Sequence, residues 1–130
     1  MRKLLTVMII TVGLGIFAET YAQASQTLMV RIGQERAARG NIRVRFLTLV
    51  EDSRCPTGTQ CVWAGTAKIK IQVRFGSRTA QTFEIETNGD AVMFRGYRIK
   101  LTNLIPHPAN NIRINRNGYV AMFRITNVSR

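Results

Sequence analysis

Acidic residues are scarce in this 130-residue chain: 7 Asp plus Glu stand against 19 Lys plus Arg, a formal net charge of +12 at neutral pH. Paired carboxylates for glycoside cleavage would have to come from Glu51, Asp52, Glu84, Glu86 or Asp90. Glu84 and Glu86 sit on an alternating stretch better suited to cross-strand ion pairs than to acid–base work. Histidine is scarcer still. The only one, His107, lies between two prolines, a rigid extended setting with no carboxylate to orient it as a general base. Two cysteines and that histidine cannot supply the four ligands of a structural zinc site. A G-x-S-x-G elbow and a phosphate-cradling glycine loop are both missing. The expectation is therefore a non-enzyme with no catalytic, cofactor-binding or metal-ligating residues. No basic run clusters as on a recognition helix and no aromatic-interleaved RNA motif occurs, so specific nucleic-acid binding is not expected either.

Long apolar runs are absent except at the start. Arg2 and Lys3 precede Leu4 to Ala18, which is broken only by Thr6, Thr11 and two glycines. A membrane-spanning helix needs roughly 20 apolar residues, and Glu19 arrives too soon. Length and flanks match a secretory signal, and Ala22-Gln23-Ala24 supplies the small-x-small cleavage pattern. The predicted organisation is a signal peptide over residues 1–24 and a single domain over 25–130, exported to the periplasm or beyond. No cysteine stands at that junction to take a lipid, so no membrane anchor remains after cleavage.

About a hundred residues then support one modest core. Cys55 and Cys61 are the only cysteines, and in an exported chain an even pair reads as a disulfide. A loop of about seven residues closed in this way stabilises by roughly 2 kcal/mol.

Within the mature chain the dominant period is two. Ala67, Ile69, Ile71, Val73 and Phe75 alternate with Lys68, Lys70, Gln72 and Arg74, the pattern of a strand with one buried and one wet face. Phe83 and Ile85 alternate with Thr82, Glu84 and Glu86. The two runs are expected to pair as a hairpin with Glu84 and Glu86 facing the lysines or Arg74. Ile42, Val44 and Phe46 change parity at Leu47 and Leu49, which predicts a bulge near Phe46 and Leu47. Leu28 to Ile32, Tyr97 to Leu101, a short Ile112-Arg113-Ile114 piece and Tyr119 to Thr126 are further strand candidates. Gln34 to Arg39 suits at most one helical turn. Asn88-Gly89 and Asn117-Gly118 match the two-residue type I′ turn. Six or seven short antiparallel strands without a useful helix predict an all-β fold: a small β-sandwich, or a partly closed barrel, with one disulfide-closed loop.

The most distinctive segment is Glu51 to Gly65, EDSRCPTGTQCVWAG. Pro56 and Gly58 suit a turn inside the disulfide loop, and Asp52 and Ser53 suit capping of its amides. Two arrangements of Asp52, Arg54 and Trp63 compete. In one, the loop presents Arg54 and Trp63 to a ligand such as a glycan. In the other, which is the expected one, Asp52 and Arg54 satisfy each other and the loop backbone while Trp63 fills the core against the disulfide. The segment resembles a family of small exported bacterial proteins of uncharacterised function, several of them lipoproteins, with a DSRCP…C(V/I)WAG signature. Leu104-Ile105-Pro106-His107-Pro108 and Tyr119-Val120-Ala121 are similar to that family's C-terminal half. The resemblance implies a β-rich exported domain and no established activity; the lipidated cysteine of the lipoprotein members is missing.

A strongly basic balance favours anionic partners. The expected function is a non-catalytic envelope or secreted binding module for an anionic glycan or lipid. One alternative is a structural or interaction domain pairing through strand edges with another exported protein. A second is an inhibitor of an exported protease acting through Arg54 in the disulfide loop.

Overall fold

The structure, a computed structural model, describes residues 23–128. The predicted signal peptide lies, but for Gln23 and Ala24, outside the described residues. Eight strands form in chain order: β1 Ser25–Arg31, β2 Glu35–Ala37, β3 Ile42–Asp52, β4 Ala67–Phe75, β5 Gln81–Glu86, β6 Val92–Phe94, β7 Tyr97–Ile105 and β8 Val120–Asn127. They make two four-stranded antiparallel sheets, ordered β1-β8-β7-β6 (sheet I) and β2-β3-β4-β5 (sheet II). Sheet II is a meander of four consecutive strands and sheet I a meander of three, β6 to β8, edged by β1, so the chain changes sheet only at β1–β2 and β5–β6. The fold is the expected β-sandwich, not a barrel.

Alternation dictates which side of each strand goes inward. Ile69, Ile71 and Val73 of β4 and Ile42, Val44 and Phe46 of β3 are fully buried from sheet II. Ile99, Leu101 and Leu104 of β7, Ala121 and Phe123 of β8 and Val30 of β1 meet them from sheet I. A β-branched side chain buried in this way contributes roughly 1.5–3 kcal/mol, so the interleaved layer is the main source of stability.

The predicted hairpin forms with Lys68 opposite Glu86 and Lys70 opposite Glu84. The predicted bulge falls between Phe46 and Thr48, and a second irregularity follows between Leu49 and Glu51. Turn chemistry departs from expectation. Neither Asn88-Gly89 nor Asn117-Gly118 adopts the positive φ pair of a type I′ turn. The first lies in the crossing between sheets; the second lies in a single 3-10 turn, Arg116–Gly118, capped by the Asn115 side chain. The two-residue turn with both φ positive is Arg95-Gly96, φ 46° and 78°, joining β6 to β7 with Phe94 opposite Tyr97. Gln34 to Arg39 is no helical turn: it carries β2, and the 3-10 turn begins only at Arg39. Ile112 to Ile114 stays outside the sheets, and Ile112 is 66% exposed.

Candidate functional site

The disulfide corner begins where β3 leaves sheet II. Ser53 N–H donates to the Thr66 carbonyl at 2.8 Å and Cys55 N–H to that of Ala64 at 2.9 Å, which closes the neck of the loop. Gly65 makes that neck possible. Its φ is +67°, and a Cβ there would stand 1.8 Å from the Ser53 carbonyl oxygen, so only glycine fits. Beyond the neck Cys55 and Cys61 form the expected disulfide, Cα atoms 5.9 Å apart.

Arg54 turns inward at this corner. Its Nε and Nη2 donate to the two Asp52 carboxylate oxygens at 2.8 and 2.7 Å. Nη1 reaches the Leu104 carbonyl and Nη2 the Pro106 carbonyl at 3.0 Å. The Tyr119 hydroxyl donates to Asp52 Oδ2 at 3.1 Å. Only 7% of the Arg54 side chain and 9% of the Asp52 side chain are exposed. Burial disfavours the Asp52 charge, yet Arg54, with help from Tyr119, outweighs it and holds the carboxyl below its ordinary 3.8. Burial, together with the Asp52 charge, pushes the Tyr119 hydroxyl up. A buried pair with every polar atom engaged ties β3 of one sheet to β7 of the other and to Tyr119, the residue that leads into β8.

This settles the two arrangements of the motif in part for each. Asp52 and Arg54 do satisfy one another and the neighbouring backbone, so Arg54 is not presented to a ligand or to a protease. Trp63 does not fill the core: it is 82% exposed, beside Val62 at 90%. The disulfide rests instead against the segment after β7. Thr57 pairs with Ala109, Thr59 Oγ1 bonds Asn110 Oδ1 at 2.7 Å, and His107 Nε2 lies 2.9 Å from the Cys55 carbonyl oxygen. With those carbonyls and loops as its framework, the corner holds Trp63 outward on a braced support.

A groove of about 270 Å³ opens between this loop, the β5–β6 connection and the β7 bulge. Thr87, Asn88, Thr102, Asn103 and His107 line it, none of them singled out as a ligand group by the sequence pattern. Asn88 reads as a turn residue, while Thr102 and Asn103 come together at a register shift between Leu101 and Asn103 that no local signal marks.

The second candidate is the outer face of sheet I. Its strands hold Arg31, Arg98, Lys100 and Arg124 and no acid. Lys100 stands opposite Arg124, and Arg124 opposite Thr27. Arg98 lies between Thr126 and Met93, and Met29 and Met93 are about half exposed, at 51% and 52%. Sheet II is different. It holds five acids among six basic residues, with Glu35 bonded to Arg43 and Arg74, Lys68 to Glu86 and Lys70 to Glu84. Hydrogen bonds from Arg74, against some burial, hold the Glu35 carboxyl below its usual value. Among the described residues no group of three or more His, Cys, Asp or Glu is placed to hold a metal ion, and no helix is long and apolar enough to cross a membrane. No family model, curated protein or solved structure matches this chain.

Proposed function

We propose that this protein is a non-catalytic binding domain for a surface bearing repeated anionic groups, an acidic glycan or an anionic lipid layer, contacted through the outer face of sheet I. The supporting observation is the segregation of charge: four cations without an acid on the strands of sheet I, against a nearly balanced sheet II. Like charges directly opposite each other destabilise a ladder, and Lys100 opposite Arg124 carries that cost with no counterion among the described residues. A repeated anion supplies it from outside. Export belongs to this reading. The basic start, the apolar run from Leu4 to Ala18 and the Ala22-Gln23-Ala24 pattern support it, and so does a disulfide, which persists in oxidising compartments.

Co-sedimentation with an insoluble acidic polysaccharide and with anionic phospholipid vesicles tests the reading and separates its two sources. Each cation near such a surface contributes about 1 kcal/mol, so Arg98→Gln, Lys100→Gln and Arg124→Gln together should weaken binding about a hundredfold. Removing the same charge from sheet II, with Arg36→Gln, Lys68→Gln and Lys70→Gln, should leave it nearly unchanged. Equal loss in both triple variants would reduce the attraction to net charge and overturn the proposal.

A second reading rests on the open edges. β1, with seven residues, and β5, with six, each have one unpaired side, and an edge of that length accepts a strand from a partner. Association of this kind persists at high salt, whereas charge-driven binding fades.

A further inference from the structure

We infer that the groove beside the disulfide loop binds a single uncharged sugar residue, independently of the cationic face. Size is the first argument. About 270 Å³ lies just below the roughly 300–1,000 Å³ of pockets that take drug-sized ligands, which suits one ring and not an extended molecule.

Polarity without free charge is the second. The only charged side chain on the lining is Arg54, and its guanidinium is spent on Asp52 and on the carbonyls of Leu104 and Pro106. What remains is a mixed set of donors and acceptors. Asn103 Oδ1 already accepts from Leu104 N–H at 2.8 Å, which leaves its NH2 as two unused donors. The Asn88 amide bonds to none of the described residues and offers donors and an acceptor together. Thr87 Oγ1 accepts from Ala67 N–H at 3.1 Å and keeps its own O–H to give. Thr102 Oγ1 donates to the Met122 carbonyl at 3.0 Å and keeps lone pairs to accept. A carbonyl only accepts, so the 2.9 Å contact from Cys55 O puts the His107 proton on Nε2 and leaves Nδ1 as an acceptor. A sugar hydroxyl gives one bond and takes two, and this alternation of givers and takers answers it; a carboxylate or phosphate would need donors alone.

The third argument is the aromatic. Trp63 directly precedes Ala64, which lines the groove, and it is held out of the core at 82% exposure on a disulfide-braced loop. Exposing a tryptophan costs the burial it would have gained. A solvent-facing ring one residue along the chain from a groove-lining position recovers that cost when the apolar face of a bound sugar lies on it.

Trp63 is the only tryptophan in the chain and the sequence neighbour of groove-lining Ala64, so its emission reports on this region without labelling. The full protein is titrated with four neutral trisaccharides: the N-acetylglucosamine trimer, cellotriose, maltotriose and mannotriose. The expected result is a saturable shift of emission with at least one of them, unchanged by salt. Asn88→Ala and Asn103→Ala should each weaken it roughly tenfold, the loss of a buried neutral hydrogen bond or two. The triple variant Arg98→Gln, Lys100→Gln, Arg124→Gln should bind the sugar as the wild type does, which keeps this test separate from the polyanion one. No saturable response to any of the four, by emission and by calorimetry, overturns the inference. So does a response that both asparagine variants leave intact.

Discussion

Sheet I and sheet II face the solvent with the same kinds of strand and different electrostatics, the first carrying cations alone and the second a nearly balanced mixture. On sheet II every long basic side chain of β4 meets an acid: Lys68 pairs with Glu86 and Lys70 with Glu84 across the ladder, and Arg74, which stands opposite Arg43, reaches Glu35 on β2. On sheet I, Lys100 meets Arg124. Excess charge spread at random would fall on both faces, and here the strands of one sheet hold five acids and those of the other none. The difference teaches where the positive charge of the chain is structural and where it is left over for something else. Cations with partners belong to the fold, and their loss should be felt in stability; cations without partners should be felt in binding.

The strongest case of the first kind is Arg54. Arg54→Ala leaves Asp52 buried with only Tyr119 and the backbone N–H of residue 54 to answer it, and breaking a buried pair by removing one partner costs about 3–5 kcal/mol. In a domain of about a hundred residues each 1 kcal/mol moves the melting temperature by roughly 4–8 °C, so thermal unfolding should fall by tens of degrees or the domain should fail to fold. Asp52→Asn keeps the shape and removes the charge, and should lie between wild type and Arg54→Ala. A melting temperature for Arg54→Ala within a few degrees of wild type would erase the distinction between paired and unpaired cations.

Next in size is the disulfide, which braces the corner but not the sheets. Replacing Cys55 and Cys61 together by serine should cost about 2 kcal/mol, the value for a loop this short, read as a lower urea midpoint. The same variant should leave polyanion binding through Arg98, Lys100 and Arg124 intact, because those side chains stand on β7 and β8. Loss of that binding on reduction would join two regions that the fold keeps apart.

Acid sharpens the comparison from another side. Asp52 and Glu35 both have carboxyls held below their ordinary values by arginines. A carboxyl depressed in the folded state stabilises above its unfolded pKa, and that contribution is lost as pH falls through the folded value. The domain should therefore keep its stability down to about pH 4 and lose it progressively below, and Asp52→Asn should flatten that acid limb. Melting curves followed from neutral into acid solution measure it. A wild-type limb that Asp52→Asn leaves unchanged would show that the corner pair does not govern acid unfolding.

Much of the sandwich was legible in the sequence because alternation is a local signal. The parity of Ile69, Ile71 and Val73 sets which face of β4 is buried, and the parity break after Phe46 marks the bulge. Even the ion pairs of β4 with β5 follow, since adjacent strands pair by proximity in the chain. The cationic face did not, because β1 and β8 are joined by pairing across nearly the whole chain, and no local feature of Lys100 reveals Arg124 beside it. Turns failed for a related reason. Asn88-Gly89 prefers a hairpin, but the chain there changes sheet, whereas Arg95, an unpromising residue for positive φ, is placed in one by the pairing of β6 with β7. Trp63 was misplaced because nearness to a disulfide cysteine says nothing of which way the loop turns: Arg54 went inward to meet Asp52 and Leu104, and Trp63 stayed outside. The groove depends on all of these outcomes together, so no single stretch of sequence announces it.

The smallest effect is the most direct comparison of the two faces. Lys68→Gln removes a cation 3.0 Å from Glu86, both side chains about a third exposed; Lys100→Gln removes one opposite Arg124. Exposed pairs contribute a few tenths of a kcal/mol, and like charges across a ladder cost a similar amount. The two changes are the same in chemistry and remove the same net charge, so they should shift stability in opposite directions: Lys68→Gln down and Lys100→Gln up, each by roughly 0.2–1 kcal/mol. Paired chemical denaturation at low salt resolves differences of this size, and added salt should shrink both together. If Lys100→Gln also destabilised, Lys100 would hold a structural place on sheet I, and the face would no longer count as free for a ligand.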